Sequence, residues 1–305
     1  MERSKTHSEL RASRVLGRVR MALGVVSAMV IVLACQEERN ARAGDSLREE
    51  RPEENTNYSL GTASWVQGKK LNASDATAGN WFGVCASVSG AVAVVGAMYD
   101  AAPGERSGSA YVFRCDGNSW VEEQKLTASD AAAGDEFGHS VSVSANVVVV
   151  GASGDNNAGA GSGSAYVFRY DGANWVQEQK LTASDAAAYD WFGHSVSVSD
   201  DVAVVGAHSD PTAAITAPLR IADLQGRRGG GGLAYVYRCD GTAWMEEQKL
   251  TASDAATKDF FGGSVSVSGT VAVAGATGDD AAGESSGSAY VFSTRDLALD
   301  TNPGR

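Results

Sequence analysis

The sequence predicts an all-β fold, a β-propeller of four blades with four antiparallel strands in each blade. A unit of about 55 residues recurs four times between residues 65 and 292. Each copy contains four short strand-like runs, and turns that contain glycine separate several of them. Four short antiparallel strands per unit are typical of a propeller blade, and one such sheet cannot bury both of its faces unless neighbouring units stack on it.

Three markers keep the repeat in register. A tryptophan, a Phe-Gly pair and a Gly-Ala pair each recur at spacings of 55, 55 and 69 residues. The last interval is longer because the third copy contains an insertion of 14 residues, which lies within residues 212–230. The markers are Trp65, Trp120, Trp175 and Trp244; Phe82-Gly83, Phe137-Gly138, Phe192-Gly193 and Phe261-Gly262; and Gly96-Ala97, Gly151-Ala152, Gly206-Ala207 and Gly275-Ala276.

The four runs of the second copy illustrate the strand predictions in order. Ser140–Ser144 alternates serine with valine, which indicates a strand with one apolar face. Val147–Val150 is apolar throughout, as expected of a strand that is covered on both faces. Ala165–Tyr170 is rich in aromatic and β-branched residues, and Trp175–Leu181 is the most polar run, as an outer strand can be. Asp171-Gly172 supplies the turn between these last two strands.

The strand order predicts how the ring closes. If each blade begins at its Phe-Gly pair, the blades start near residues 82, 137, 192 and 261, and the fourth ends at Phe292 with only three strands. The leading segment Trp65–Leu71 is then an unused strand of the fourth type, and its pairing with the last blade would give four complete blades. Closure would also hide strand edges that otherwise promote aggregation. The alternatives are an open arc, a ring of eight blades made by two chains, and an incomplete propeller.

Several of these elements resemble FG-GAP repeats, which form the blades of the integrin α-subunit propeller. The resemblance rests on Phe137-Gly138, the valine-rich strand, Gly151-Ala152 and the run Ser162–Phe168. The run at residues 179–185 is similar to the microbial and algal branch of the family. The resemblance implies a propeller that acts in binding or adhesion.

One departure from integrin-type repeats concerns calcium. Those repeats carry a loop of spaced acidic residues between the Phe-Gly strand and the Gly-Ala strand. Here the same connection is a tight turn, such as Ser144–Asn146 in the second copy. Because calcium takes about six to eight oxygen ligands, the turn has no room for the cage, and the family's metal site is not expected.

The N-terminus is predicted to direct export. The basic residues Arg11, Arg14, Arg18 and Arg20 precede the apolar run Met21–Ala34. The 14 residues of this run are fewer than the roughly 20 that span a bilayer and are typical of a signal peptide. The run ends at Cys35 in a sequence that resembles a lipoprotein box, so Cys35 is a possible lipidation site. The alternatives are cleavage after residues 41–43 and an uncleaved anchor. We therefore expect a secreted protein, or one held in the cell envelope by its signal or by a lipid.

The predicted domain organisation follows from composition. Residues 1–35 form the signal, and the charged residues 36–57 form a disordered linker because they contain few large apolar groups. Residues 58–293 form the propeller, and residues 294–305 form a disordered tail. The formal net charge of the chain is −12, and residues 58–305 carry 15 basic against 28 acidic side chains. This acidic body argues against nucleic acid as a partner.

Recurring aspartates provide the candidate binding residues. The connections from fourth to first strand and from second to third strand share one face of a propeller, here called the loop face. The candidate ligand-binding residues on it are Asp130, Asp135, Asp155, Asp185, Asp190, Asp254, Asp259, Asp279 and Asp280. Their recurrence favours a second interpretation, in which Asp130, Asp135 and their copies cap their own turns. Asp155 and Asn157 are weak candidates for calcium, and otherwise no cofactor is expected.

The predicted function is that of a non-catalytic binding or adhesion module whose partner is a protein or glycan at the cell surface. No nucleophile elbow, zinc spacing or phosphate loop is present in the sequence. His139 and His194 share one position of the repeat and are expected to be structural or solvent-facing. The cysteines at equivalent positions of separate blades predict no disulfide. The alternatives are a hydrolase or lyase acting on polysaccharide and a purely structural surface protein.

Overall fold

A computed structural model describes residues 66–101, 104–209 and 230–294. The predicted signal with Cys35, the linker 36–57, Trp65, residues 212–229 of the insertion and the tail beyond residue 294 lie outside the described residues. Apart from Val66 and Gln67, the described residues belong to the unit Gly68–Arg305. They contain no helix, and therefore none that could span a membrane.

In the part of the chain that the structure describes, fifteen strands form four antiparallel sheets, so the predicted all-β fold is confirmed. In each sheet the strands lie in chain order. Sheet 1 consists of β1 (Ala86–Ser89), β2 (Val92–Ala97), β3 (Ser109–Cys115) and β4 (Trp120–Leu126). Sheet 2 consists of β5 (Phe137–Ser144), β6 (Val147–Ala152), β7 (Ser164–Tyr170) and β8 (Trp175–Leu181). Sheet 3 consists of β9 (Phe192–Ser199), β10 (Val202–Ala207), β11 (Leu233–Cys239) and β12 (Trp244–Leu250). Sheet 4 consists of β13 (Phe261–Ser268), β14 (Val271–Ala276) and β15 (Ser288–Ser293).

Apolar faces hold consecutive sheets together. One buried cluster joins sheets 1 and 2, a second joins sheets 2 and 3, and a third joins sheets 3 and 4. The central strand β6 is buried along its whole length because a sheet covers each of its faces. In β5 the valines are buried and the alternate serines are only partly buried, as the sequence pattern predicted.

The Phe-Gly and Gly-Ala markers meet where two sheets touch. A Cβ atom on Gly151 would collide with the carbonyl oxygen of Gly193 in the next sheet. Gly193 has a φ of +86°, a conformation that glycine adopts without steric cost. Its carbonyl oxygen also accepts a hydrogen bond from Ser140 Oγ at 2.8 Å. The two glycines are therefore needed for the close approach of neighbouring sheets.

Serines of each first strand add hydrogen bonds between sheets. Ser87 Oγ accepts a bond from the amide of Val143 at 3.1 Å, and Ser142 Oγ accepts one from Val198 at 3.0 Å. Ser197 Oγ accepts the third bond of the series, from Val267 at 3.0 Å. The same donor and acceptor positions thus recur at all three junctions, which makes the junctions equivalent.

The ring predicted from the sequence is not closed in the structure. Sheet 4 has three strands, and residues 66–71 form no strand, so the predicted pairing of Trp65–Leu71 with the last blade is not confirmed. Lys69 Nζ instead donates a hydrogen bond of 2.7 Å to the carbonyl of Trp120, the first residue of β4. Both ends of the stack are uncovered: Val291 of β15 is 70% exposed and Val88 of β1 is 66% exposed, whereas the internal Val167 is fully buried. The described residues therefore form four stacked sheets, and a closed ring is not confirmed.

Candidate functional site

The loop face brings the predicted aspartates together in pairs. Asp130 follows β4, and Asp155 follows β6. Both accept hydrogen bonds from the hydroxyl of Tyr166, at 2.9 and 2.8 Å. Lys180 Nζ lies 2.6 Å from Asp130 and 2.7 Å from Asp155, so it is bonded to both carboxylates. One tyrosine and one lysine of the same sheet therefore tie the two connections together.

This network recurs in the other sheets. We call it the Asp-Tyr-Lys network, and its lysine comes from the fourth strand of the sheet. In the other sheets its described members are Asp75, Asp100, Tyr111 and Lys125; Asp185, Tyr235 and Lys249; and Asp254, Asp279 and Tyr290. Sheet 4 has no lysine in the network because it has no fourth strand.

Electrostatics explain why Asp130 and Lys180 are charged. Burial would raise the pKa of Asp130, but hydrogen bonds from Lys180 and Tyr166 outweigh it and the pKa is lowered. Burial would likewise lower the pKa of Lys180, and its bonds to Asp130 and Asp155 raise it instead. The charges within the network are therefore compensated inside the protein.

A second group of predicted residues caps turns. Asp135, Asp190 and Asp259 are at most 4% exposed. Each accepts a bond of 2.6 Å from the amide three residues earlier, as Asp135 Oδ2 does from Ala132. Burial raises the pKa of Asp135, because its carboxylate is removed from water while only some of its bonds compensate the charge.

The calcium candidates are also occupied by protein donors. Asp155 Oδ1 accepts a bond from the amide of Asn157 at 2.9 Å, while its Oδ2 is bonded to Tyr166 and Lys180. Asp280, by contrast, is exposed and accepts a bond from the amide of Ser285 at 2.6 Å. Within the described ranges, no three or more His, Cys, Asp or Glu side chains are grouped in a way that could hold a metal ion.

Exposed aromatic side chains on the loop face were missed by the sequence analysis. Trp81 is 57% exposed, Trp191 is 41% exposed and Tyr189 is 51% exposed. Trp81 and Trp191 occupy the position just before the Phe-Gly pair, where the other copies have Glu136 and Phe260. All four residues at this position have a positive φ, between 56° and 58°. The available signal was the variation itself, because this position changes from copy to copy while its neighbours repeat.

Each exposed tryptophan has neighbours that support it. The ring of Trp81 lies 4.6 Å from that of Tyr99, and the guanidinium group of Arg106 lies 4.6 Å above the ring of Tyr99. The ring of Trp191 lies 5.4 Å from that of His208. We call the exposed residues Trp81, Tyr189 and Trp191, together with the supporting Tyr99, the aromatic set. The exposed rings of this set are flat apolar surfaces, and they lie on the loop face of the stacked sheets.

Three imidazole rings are stacked beside the aromatic set. The ring centres of His139 and His194 are 4.7 Å apart, and those of His194 and His208 are 4.0 Å apart. Burial lowers the pKa of His194 to about 3 and that of His208 to about 4. The Nδ1 atoms of these two rings have no hydrogen-bond partner in the part of the chain that the structure describes. The rings of His194 and His208 are therefore neutral, packed groups at neutral pH.

These observations define a class of protein, an all-β repeat protein whose antiparallel sheets stack through paired glycines and present one loop face. The family model for the FG-GAP repeat matches four segments of the chain, residues 65–113, 120–168, 175–237 and 244–292. The chain therefore belongs to the FG-GAP repeat family, as its sequence predicted. A comparison with curated proteins found no match.

The matched segments are offset from the sheets by one strand. Each segment begins at a tryptophan of the fourth-strand type and ends in the third strand of the next sheet, as residues 120–168 do from β4 to β7. The first segment therefore includes the leading residues 65–71. This offset is why four sequence repeats give three complete sheets and one sheet of three strands.

Proposed function

We propose that this protein is an exported, non-catalytic binding module that holds a protein or glycan at the cell surface through its loop face. The observation that carries the proposal is the aromatic set. Trp81 and Trp191 are exposed at a position whose residue type varies among the copies, whereas recurring loop residues such as Asp130 and Asp135 are bonded within the protein. A propeller-like stack of FG-GAP repeats supports the binding class of function.

Physical reasons favour binding for these tryptophans. Exposed aromatic groups are costly in water, and clusters of them commonly mark interaction sites. Trp, Tyr and Arg supply a large share of the energy of recognition interfaces. A left-handed backbone at a residue other than glycine costs about 1 kcal/mol or more and is commonly retained where it has a functional use. Here it holds Trp81 and Trp191 at the surface.

The carboxylates support a non-catalytic role. A carboxylate pair that cleaves glycosides needs groups free to act as acid, base or nucleophile. Asp130 and Asp155 are instead bonded to a lysine and a tyrosine of their own sheet, and Asp135 caps a turn. These bonds stabilise the fold, and this role explains why the aspartates recur in each copy.

A binding screen tests the proposal. The purified protein is applied to arrays of glycans and of cell-surface proteins, and hits are compared among Trp81→Ala, Trp191→Ala and Met245→Ala. Met245 is the matched control because it is 57% exposed, like Trp81, but lies on β12. We expect each tryptophan change to weaken binding by about tenfold or more, and Met245→Ala to leave it unchanged. Equal binding by all three variants, or turnover of a polysaccharide, would defeat the proposal.

Export is part of the proposal and rests on the apolar run Met21–Ala34 and on Cys35. We expect the protein in the cell envelope or the medium, with the signal removed. Mass spectrometry of the mature N-terminus, compared with that of Cys35→Ser, distinguishes a lipid on Cys35 from ordinary cleavage. A cytoplasmic protein that retains Met21–Ala34 would contradict export.

A further inference from the structure

We propose that two copies of this chain join head to tail, so that the leading segment and sheet 1 of one copy cover sheet 4 of the other. Two such junctions make one ring of eight sheets. Three features of the described residues support this pairing: both ends of the stack are exposed, the Asp-Tyr-Lys network of sheet 4 contains no lysine, and the three junctions between sheets are equivalent.

The two ends have the complementary faces of an internal junction. Val271 and Val291 of sheet 4 are 41% and 70% exposed, whereas the residues equivalent to Val291 in sheets 1 and 2, Val112 and Val167, are fully buried against the next sheet. Val88 of sheet 1 is 66% exposed, whereas its equivalent Val143 is 6% exposed against the preceding sheet. Sheet 4 therefore exposes the face that packs against a following sheet at the internal junctions, and sheet 1 exposes the face that packs against a preceding sheet.

The polar groups of the two ends also match. At the internal junctions the first-strand serines bond the Phe-Gly carbonyl and the strand amides of the following sheet. At the next junction of this series, Ser264 of sheet 4 would donate a hydrogen bond to the carbonyl of Gly83 on sheet 1 of the other copy. Ser266 of sheet 4 would accept one from the amide of Val88 on that sheet. Gly275 completes the match: a Cβ there would meet only atoms of Ser264, so the space for the Gly83 carbonyl is open.

Charge complementarity identifies the leading segment as the missing strand. Tyr290 bonds Asp254 and Asp279 at 2.7 Å each, as Tyr166 bonds Asp130 and Asp155, but sheet 4 supplies no lysine to these carboxylates. The repeat spacing of 55 residues makes Lys70 the equivalent of Lys125. Lys70 is exposed, and no ion pair is recorded for it among the described residues. Pairing of the leading segment with β15 would place Lys70 beside Asp254 and Asp279.

The geometry favours a second copy over closure within one chain. Lys69 bonds the carbonyl of Trp120, as Gln124 bonds that of Trp175, so the leading segment already lies against sheet 1 as a fourth strand lies against the next sheet. From sheet 1 to sheet 4 the chain forms three equivalent junctions between sheets. After these three junctions sheet 4 does not cover sheet 1, because Val88 of sheet 1 and Val291 of sheet 4 are both exposed. A ring with the same junction throughout must contain more than four sheets. Two copies give eight, which is within the usual range for propellers, and head-to-tail pairing of two chains closes as a two-fold ring.

Disulfide trapping distinguishes pairing between two copies from closure within one chain. The register Ala110↔Leu126 in sheet 1 makes Leu71 and Ala289 the equivalent pair at the new junction. We expect an equimolar mixture of Leu71→Cys and Ala289→Cys chains to form a disulfide-linked dimer under mild oxidation, whereas the wild type, with its own cysteines, does not. A double variant that forms the disulfide within a monomer, with no crosslink in the mixture, would overturn the proposal. Failure of both crosslinks would overturn it as well.

Sedimentation provides a second test. We expect the wild type to sediment at twice the mass of one chain, and Lys70→Glu to raise the dissociation constant on the order of tenfold or more. Lys70→Glu combined with Asp254→Lys should recover the dimer, and Lys70→Arg should retain it. A monomeric wild type, open-ended polymers, or a Lys70→Glu chain that associates like the wild type would each refute the two-copy ring.

Discussion

Residues on the loop face fall into two groups with different roles. Those that recur, such as Asp130 and Asp135, are bonded to their own sheet or turn and stabilise the frame. Those that vary, such as Trp81 and Trp191, are exposed at a strained backbone position. A repeat protein needs identical residues where its units pack, and it is free to vary the residues that meet a partner. The variable residues are therefore the better candidates for recognition.

The stacked histidines make the fold sensitive to acid. Burial holds the pKa of His194 at about 3 and that of His208 at about 4, below the value of about 6.5 for an unfolded chain. Between these values the unfolded chain binds protons that the folded chain does not, so stability is lost as the pH falls. We expect the melting temperature to decrease between about pH 6.5 and about pH 4.5, and the decrease to be smaller in His194→Phe.

The control for this prediction is Tyr189→Phe, an aromatic change on the same face that leaves the imidazoles in place. His139, with the carboxylate of Glu136 at 3.7 Å, is unchanged in both variants. Asp135, whose pKa is raised by burial, and the other aspartates are also the same in both variants, so their contribution to the acid sensitivity cancels in the comparison. Equal acid sensitivity in His194→Phe and the wild type would contradict burial of the neutral ring.

At the scale of the element, paired glycines set the distance between sheets. Gly96, Gly151 and Gly206 each face the carbonyl of the Phe-Gly glycine in the next sheet, with no space for a Cβ. That carbonyl points across the junction because its own residue has a positive φ. The markers that define the repeat in sequence are thus the residues that allow its sheets to pack closely.

A matched pair of glycine changes tests this role. We expect Gly151→Ala to lower the free energy of unfolding by about 3 kcal/mol or more, since the added methyl group would force two backbones apart. Gly275→Ala should cost less, because the one close contact of the added Cβ is with Ser264 Oγ, which can rotate away, and the backbone oxygen of Ser264 at 3.9 Å is at ordinary van der Waals distance. Chemical denaturation of both variants as monomers measures the difference. Equal losses would show that the contact between sheets does not set the cost.

At the scale of the whole molecule, the sequence predicted the strands and their order but not the ends. The alternation of serine and valine in Ser140–Ser144 predicted a strand with one buried face, and the apolar run Val147–Val150 predicted a strand with two. Both patterns depend only on burial, so β5 and β6 were located correctly. Ring closure depends on the angle at each junction, which no side-chain pattern encodes. The leading segment was therefore predicted to be a fourth strand, but residues 66–71 form no strand and the pairing with β15 is not confirmed.

The candidate site was only partly predictable for a related reason. Asp130 and Asp155 were found because acidic residues recur in the loops, but their bonds to Tyr166 and Lys180 depend on how β7 and β8 lie in the folded sheet. Trp191 was overlooked because a tryptophan beside a Phe-Gly pair is an ordinary core pattern. Its exposure of 41% in the folded structure shows that the side chain reaches the surface.

We propose that the varied aromatic residues bind the partner, whereas the recurring aspartates stabilise the fold. The most direct test measures affinity for the strongest partner from the arrays, together with the melting temperature, for Trp191→Ala and Asp155→Asn. We predict that Trp191→Ala loses about tenfold or more in affinity with an unchanged melting temperature. Asp155→Asn should melt at a lower temperature because it leaves Lys180 and Tyr166 with a weaker partner. Full affinity in Trp191→Ala, or lost affinity with unchanged melting in Asp155→Asn, would contradict the claim.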